Sequence, residues 1–208
     1  MIVAYTGKPG SGKSAHAARI IRRCLNARKP RPVLANFPLS PDAPVKHPEL
    51  YTYMPNDAIT PERIARKVAE YYARENGGHV IEDHYTIILD ECAIIFNSRL
   101  WTQKDRINWV EYMTQSRKHG TKVILIAQSL AMIDNQIRMC VELEHEHRRI
   151  KTHGVMGWLA DLCVGGNLAT DVQYLVSGNK RERVESEFFR PNAKDFAMYD
   201  SFGIFAKI

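Results

Sequence analysis

The sequence predicts an α/β domain with a mainly parallel, helix-flanked sheet. Three observations support this fold class. Short apolar runs rich in β-branched residues alternate with segments of helical periodicity. The run at residues 85–89 is almost continuously apolar, which is typical of a parallel strand covered by helices on both faces. The 208 residues are 45% hydrophobic and 25% charged, a composition that suits a single domain with a substantial core.

The first half of the chain is predicted to contain three strands and two helices. The predicted strands cover residues 2–6, 32–37 and 85–91. A helix is predicted over residues 13–27, where apolar side chains recur on one face. Five prolines between residues 38 and 55 exclude a helix there and predict an irregular connection. The second helix is expected to start at Pro61, capped by Thr60, and to end at Gly77-Gly78.

The second half continues the same alternation as far as residue 150. A helix over 104–119 should stop at Gly120, and a helical segment is expected near 130–140. The fourth and fifth predicted strands cover residues 122–129 and 141–151. We expect residues 1–150 to form the nucleotide-binding core of one domain spanning residues 1–208. In the remaining part, residues 151–208, the sequence predicts a β-hairpin over 171–189 with its turn at Gly178-Asn179.

Residues 7–14 read GKPGSGKS and lie between the first predicted strand and the first predicted helix. They match the phosphate-binding loop pattern G-x-x-x-x-G-K-[S/T] in the structural context that the pattern requires. Backbone N–H groups of such a loop surround phosphate, its lysine supplies positive charge, and its hydroxyl binds Mg²⁺. The predicted nucleotide-binding residues are Gly7, Lys8, Pro9, Gly10, Ser11, Gly12, Lys13, Ser14 and Ala15, with Ser14 also a magnesium ligand. The sequence therefore predicts a P-loop NTPase.

Two acidic residues end the third predicted strand. Asp90 would lie at the carboxyl end of a buried strand, where an open α/β sheet binds its ligands, and is the second predicted Mg²⁺ ligand. Glu91 is the predicted general base that activates water. Gln128 ends the next strand and is predicted to contact the γ-phosphate, the alternative being an ordinary strand-end hydrogen bond.

Two arginines are alternative candidates for an arginine finger that reaches a neighbouring subunit's nucleotide. Arg117 lies at a helix end, where complementing the helix dipole is the alternative role, and Arg138 follows the fourth strand. His145 and His147 alternate with glutamates on the fifth predicted strand. This pattern favours a solvated strand face over a metal site.

The net charge of +6 allows an anionic partner such as nucleic acid, although a merely basic protein has the same composition. Four scattered cysteines form no C-x-x-C pair, so the pattern suggests neither a disulfide framework nor a cysteine zinc site. No secretory signal is visible, and no apolar run approaches the roughly 20 residues that span a bilayer. We therefore expect a soluble chain.

Several segments together resemble the cytoplasmic domain of the zonula occludens toxin (Zot) family, the filamentous-phage assembly and export ATPases. They are GKPGSGKS, the proline-rich stretch, IILDECAIIF, SRKHGTKVILIAQS and IDNQIRMCVE, and they cover roughly residues 1–150. The resemblance implies a RecA-like P-loop fold of the FtsK-HerA type. It also implies an oligomeric motor that uses Mg-ATP to export single-stranded phage DNA while coat or other assembly proteins bind it.

The same resemblance implies a location at the cytoplasmic face of the inner membrane. Members of the family usually contain a membrane span, so membrane contact through a segment outside these 208 residues, or through a partner, is expected. Two other function classes stay open. A small-molecule kinase would need an arginine-rich lid, which is not evident, and a nucleotide-gated scaffold would show little turnover. The sequence contains no N-K-x-D guanine-binding motif, which favours ATP over GTP.

Overall fold

A single mixed sheet forms the centre of the fold. The computed structural model describes residues 1–96, 102–152, 166–178 and 180–199, with the single positions 157, 159 and 162. Within these residues the strands are β1 (Ile2–Thr6), β2 (Val33–Ala35), β3 (Tyr51–Tyr53), β4 (Tyr85–Leu89), β5 (Thr121–Ile126), β6 (Leu143–Arg149), β7 (Ala169–Ser177) and β8 (Lys180–Phe189).

The strands are arranged in the order β3-β2-β4-β5-β1-β6-β7-β8. All pairs from β3 to β6 are parallel, whereas β7 and β8 add an antiparallel hairpin beyond β6. In the middle of the sheet, Val3 is opposite Ile124 of β5 on one side and Leu143 of β6 on the other. The carboxyl ends of β1, β4 and β5 therefore meet at one edge of the sheet, where open α/β folds bind ligands.

The helices whose bounds lie within the described ranges are α1 (Lys13–Asn26), α2 (Pro61–Glu75), α3 (Gln103–Thr114), α4 (Asn135–Arg138) and α5 (Ala193–Phe196). The predicted start of α2 is confirmed, because the Thr60 side chain accepts a hydrogen bond from the Arg63 N–H and Pro61 is the first helical residue. No helix in the described part of the chain has the length and apolar character needed to cross a bilayer.

Two hydrophobic clusters cover the two faces of the sheet. Alternate residues of β1 belong to different clusters, Ile2 to one and Val3 to the other, as the two-residue period of a strand requires. The first cluster includes residues of α2 and α3, and the second includes the buried face of α1. The parallel part of the sheet is thus buried on both faces, which confirms the predicted fold class.

Two elements differ from the sequence-based expectation. β3 lies inside the proline-rich stretch at 38–55, because Tyr51–Tyr53 pairs in parallel with β2. α3 ends at Thr114 and the chain reaches Gly120 through turns. The helical segment expected near 130–140 is present. It consists of a 3-10 turn over Leu130–Met132, capped by the Ser129 side chain, and of α4, capped by the Asp134 side chain. The predicted hairpin is confirmed, with Gly178 at its turn, and Asn179 lies outside the described residues.

Candidate nucleotide-binding site

The loop of residues 7–12 leaves the carboxyl end of β1 and enters α1. Its first residue donates a backbone hydrogen bond from the Gly7 N–H to the Gln128 carbonyl, 3.2 Å away. Gly7 has a φ of 137°, and a Cβ placed on it would lie 2.2 Å from the His147 carbonyl oxygen. A glycine is therefore required where the loop passes against the backbone of β6.

Lys13, the first residue of α1, folds its side chain back over the loop. Its Nζ donates to the carbonyl oxygens of Gly7 at 2.7 Å and Lys8 at 3.1 Å. Burial lowers the pKa of Lys13, while the negative charges of Asp90 and Glu91 act in the opposite direction. The ammonium thus lies against the loop and within electrostatic range of both predicted acidic residues.

Ser14 and Asp90 connect the loop to the strand that carries the acidic pair. The Ser14 hydroxyl donates to Asp90 Oδ2 at 3.0 Å, across the gap between α1 and the end of β4. Burial raises the pKa of Asp90, and hydrogen bonds from the Glu91 N–H and from Ser14 oppose that rise. A hydroxyl and a carboxylate oxygen at this distance are hard oxygen donors of the kind that Mg²⁺ prefers, so the residues fit that ion.

Asn36, which follows β2, fixes the backbone at Asp90. The Asp90 N–H donates to Asn36 Oδ1, the Asn36 Nδ2 donates to the Asp90 carbonyl, and both distances are 2.7 Å. Sequence reasoning did not identify Asn36, because its role depends on the pairing of β2 with β4. The signal that was available was an amide side chain directly after a short buried strand.

The side chains of Glu91 and Asp90 have different surroundings at the end of β4. Its φ of 47° is left-handed, which is uncommon for a residue with a side chain, and its N–H donates to Asp90 Oδ1 at 2.8 Å. The Glu91 side chain is exposed, whereas Asp90 is directed towards Ser14. The two carboxylates are therefore placed for different roles.

Gln128 follows β5, which lies between β1 and β4 in the sheet. Its side chain is exposed and lines a cavity of about 550 Å³ beside the loop. The backbone carbonyl of the same residue accepts the hydrogen bond from Gly7. The residue thus lies next to the loop, in the position expected from the order of the strands.

The two arginine-finger candidates lie away from the loop of their own chain. Arg117 forms ion pairs with Glu142 at 3.1 Å and Glu82 at 3.6 Å, close to the start of β5 and β6. Arg138 donates to Asn135 within α4, on the stretch that leads back to the start of β6. Because the loop follows the carboxyl end of β1, both arginines lie towards the opposite edge of the parallel strands.

Arg149, which is neither of the two candidates, approaches the loop. A Cβ placed on Gly10 would lie 3.7 Å from its Cζ atom. A second cavity of about 450 Å³ follows residues 10–15 and is closed by Arg149 and by the aromatic side chains of Phe196 and Tyr199. The sequence offered only a basic cluster at 148–151 as a signal, since these contacts join positions that are distant along the chain.

The prediction of a solvated face for His145 and His147 is wrong. His147 is only 1% exposed, and the ring of His145 is mostly buried. β6 is not an edge strand, because the hairpin β7-β8 extends the sheet beyond it. The same face is covered by His16 of α1 and by Phe189 of β8.

Several arginines that contribute to the net charge of +6 form ion pairs in the fold. Arg22 pairs with Asp195 at 2.8 Å. Arg148 and Arg181 both pair with Glu146, at 2.8 and 2.7 Å. These pairs leave less positive surface for an anionic partner than the net charge alone indicates.

Comparison with known proteins identifies relatives over most of the chain. The family described as zonular occludens toxin (Zot) matches residues 1–203. The Gene 1 protein of Enterobacteria phage I2-2 is 32% identical over 178 residues, which are 80% of this chain and 46% of the relative. The Gene 1 protein of Salmonella phage IKe is 31% identical over 142 residues, 66% of this chain and 37% of the relative. The chain spans less than half the length of these relatives.

Solved structures share the fold at low sequence identity. The N-terminal domain of zonular occludens toxin from Neisseria meningitidis has a TM-score of 0.58 and 15% identity, covering 96% of this chain and 98% of that one. B204, the DNA-packaging ATPase of Sulfolobus Turreted Icosahedral Virus, has a TM-score of 0.55 and 15% identity, with 92% and 97% covered. The described fold is that of a P-loop NTPase, and the chain belongs to the zonular occludens toxin (Zot) family.

Proposed function

We propose that this chain is the ATP-hydrolysing motor domain of a phage assembly protein. The observation that carries the proposal is the 3.0 Å contact between the Ser14 hydroxyl and Asp90 Oδ2. It joins the phosphate-binding loop to the acidic strand end, as hydrolysis of a bound triphosphate requires. Membership of the Zot family and the similarity to phage Gene 1 proteins support the biological setting.

The residues divide the chemistry between them. Backbone N–H groups of residues 7–15, other than Pro9, and the Lys13 ammonium hold the β- and γ-phosphates of ATP. Ser14 and Asp90 hold Mg²⁺, which when bound neutralises charge on the phosphates. Glu91 accepts a proton from the attacking water, and its exposed position beside Asp90 leaves space for that water. Gln128 contacts the γ-phosphate from the side of β5.

The proposed partners are further copies of this chain, single-stranded phage DNA, and coat or other assembly proteins. The proposed location is the cytoplasmic face of the inner membrane. Support comes from the family and from B204, which is a DNA-packaging ATPase. Arg117 and Arg138 lie far from their own loop, so an arginine finger from either would act on the nucleotide of a neighbouring subunit. An oligomer is therefore part of the proposal.

Phosphate release by the purified chain tests this function. We expect ATP hydrolysis that needs Mg²⁺ and no acceptor, with a rate per subunit that rises with protein concentration and with added single-stranded DNA. The Glu91→Gln variant should retain ATP binding and lose at least 100-fold in turnover, because the amide cannot accept the proton. Glu75→Gln on α2, also an exposed glutamate, is the matched control and should keep wild-type turnover.

Other outcomes would identify the alternative functions. Phosphate transfer that occurs only with a small-molecule acceptor would identify a kinase. Nucleotide-dependent oligomerisation with no phosphate release would identify a scaffold. Wild-type turnover in Glu91→Gln would contradict the assignment of the general base and leave the phosphate loop assignment intact.

A further inference from the structure

A buried cluster of three histidines and one aspartate lies behind the phosphate-binding loop. It consists of His16 on α1, His145 and His147 on β6, and Asp171 on β7. His147 and Asp171 are only 1% and 3% exposed. Three elements that are distant in sequence thus contribute polar side chains to one enclosed position, two residues along α1 from Ser14.

The donor atoms in the cluster are close enough to one another to share one metal ion. His16 Nδ1 is 2.8 Å from His147 Nε2 and 3.8 Å from Asp171 Oδ2. One donor atom from each of these three residues lies within 4.8 Å of the other two. In a tetrahedral zinc site with bonds of about 2.0–2.1 Å the donors are roughly 3.3 Å apart. Binding of an ion would therefore replace the 2.8 Å hydrogen bond between His16 and His147 and bring Asp171 closer to His16.

The surroundings orient these side chains as metal ligands are normally oriented. His147 Nδ1 lies 3.1 Å from the His145 carbonyl, so an N–H there donates to it and Nε2 presents its lone pair to the cluster. His145 Nδ1 is 2.7 Å from Asp171 Oδ2 and fixes that carboxylate. The other oxygen, Asp171 Oδ1, is buried and has no hydrogen-bond partner among the described residues. A buried carboxylate oxygen without a partner is costly. A metal ion bound through Oδ1 would supply that partner, while Oδ2 keeps its contact with His145.

We propose that His16, His147 and Asp171 bind a divalent transition-metal ion, with zinc the best match to their imidazole and carboxylate donors. His145 is a positioning residue that acts through Asp171. The ion would join α1 to β6 and to the hairpin β7-β8, and so fix the helix that carries Lys13 and Ser14 against the C-terminal part of the sheet. This site is separate from the proposed magnesium site at Ser14 and Asp90.

Cobalt titration of the tag-free 208-residue chain tests the proposal. The protein is first treated with a chelator to remove bound metal. It is then kept without nucleotide in excess Mg²⁺, so that Mg²⁺ competes with cobalt for the proposed magnesium site at Ser14 and Asp90. We expect one equivalent of Co²⁺ to bind with the visible d–d absorption of low-coordinate cobalt, and Zn²⁺ to displace it. Zn²⁺ should also raise the Tm of the wild-type chain, because the ion binds only the folded state.

Variants distinguish this site from other histidines. Asp171→Asn and His16→Gln should abolish the cobalt absorption and the zinc-induced rise in Tm. His145→Gln should bind about 10- to 100-fold more weakly, as changes around metal ligands typically do. His79→Gln, which changes an exposed histidine outside the cluster, should bind cobalt like the wild type.

Two results would overturn the proposal. One is a wild-type chain that shows no cobalt absorption and no stoichiometric zinc by native mass spectrometry, which would identify a hydrogen-bonded network without metal. The other is cobalt absorption that persists unchanged in Asp171→Asn. If the variants do not fold, the X-ray absorption spectrum of the zinc-loaded wild type still tests the proposal. The proposal requires two imidazole ligands on the zinc, and a spectrum without them would contradict it.

Discussion

At the residue scale, burial acts in opposite directions on the two charges that face each other at the loop. It lowers the pKa of Lys13 and raises the pKa of Asp90, because a buried site disfavours the charged form of either group. Each is compensated by neighbours: Lys13 by the carbonyls of Gly7 and Lys8, and Asp90 by Ser14. An anionic ligand at Lys13 and a cation at Asp90 would each favour the charged form that burial disfavours.

Lys13→Ala removes both the positive charge and the two hydrogen bonds that close the loop. We expect ATP affinity to fall by at least 100-fold, since charge-assisted contacts to phosphate contribute about 1.5–3 kcal/mol each. Binding of a fluorescent ATP analogue measures the effect. Lys67→Ala, an exposed lysine on α2 that pairs with Glu70, is the control. Equal affinity in the Lys13→Ala and Lys67→Ala variants would contradict the assignment of the loop.

At the element scale, the site depends on how closely β1 and its loop pass β6. Gly7 lies against the His147 carbonyl, and Gly7 also bonds to the Gln128 carbonyl after β5. The start of the loop is thus held between the two strands that neighbour β1. Any side chain at this glycine would push the loop away from β6.

Gly7→Ala should therefore cost stability and nucleotide affinity together. The added Cβ would meet the His147 carbonyl at 2.2 Å in a backbone conformation that alanine rarely adopts. We expect a loss on the order of 1–3 kcal/mol in the free energy of unfolding, measured by urea denaturation. Gly77→Ala is the matched control, because Gly77 has a φ of 57° but no atom within 4 Å of an added Cβ. Similar losses in both variants would show that the close approach to β6 is unimportant.

At the scale of the whole molecule, the C-terminal segment is anchored to α1. Asp195 on α5 is fully buried and pairs with Arg19 and Arg22, each at 2.8 Å. Met198 is also buried, in the cluster that covers the α1 face of the sheet. The segment thereby closes the cavity along residues 10–15 with Phe196 and Tyr199.

Asp195→Asn should weaken this anchor in a pH-dependent manner. Burial acts to raise the pKa of Asp195, but hydrogen bonds from Arg19, the Asn192 backbone and Arg22 outweigh it and hold the pKa below 3.8. A lowered pKa in the folded state stabilises the fold above the unfolded-state pKa, and this stabilisation is lost as the pH falls through the folded-state value.

We expect Asp195→Asn to reduce the free energy of unfolding by about 3 kcal/mol at pH 7, as loss of one partner of a buried ion pair does. The difference from the wild type should shrink below pH 4, where unfolded Asp195 becomes protonated. Urea denaturation across pH 3–7 measures both effects. The exposed residue Asp42 supplies the control Asp42→Asn, and a pH-independent loss would contradict the ion-pair argument.

The sequence by itself determined the α/β class, the position of the predicted phosphate-binding loop and the acidic strand end. These features can be recognised from short segments of sequence. An apolar run, a glycine-rich turn and a helix follow each other along the chain, and the strand ending in Asp90-Glu91 can be identified without knowing which strands lie beside it. The resemblance to the Zot family over residues 1–150 rested on the same local segments and was confirmed. The hairpin at 171–189 was also visible, because its turn is local.

Only the tertiary structure decided which distant residues meet. The order of strands in the sheet is set by pairing between segments that are distant in sequence. The sequence near each residue therefore does not predict the pairing of β3, the hydrogen bond from Asn36 to Asp90 or the approach of Arg149 to Gly10. His147 was predicted to be exposed to solvent because it alternates with glutamates along the strand. That alternation does not indicate which elements cover the strand. The added hairpin and α1 enclose it, and that enclosure turns an apparently exposed strand face into a buried cluster behind the phosphate loop.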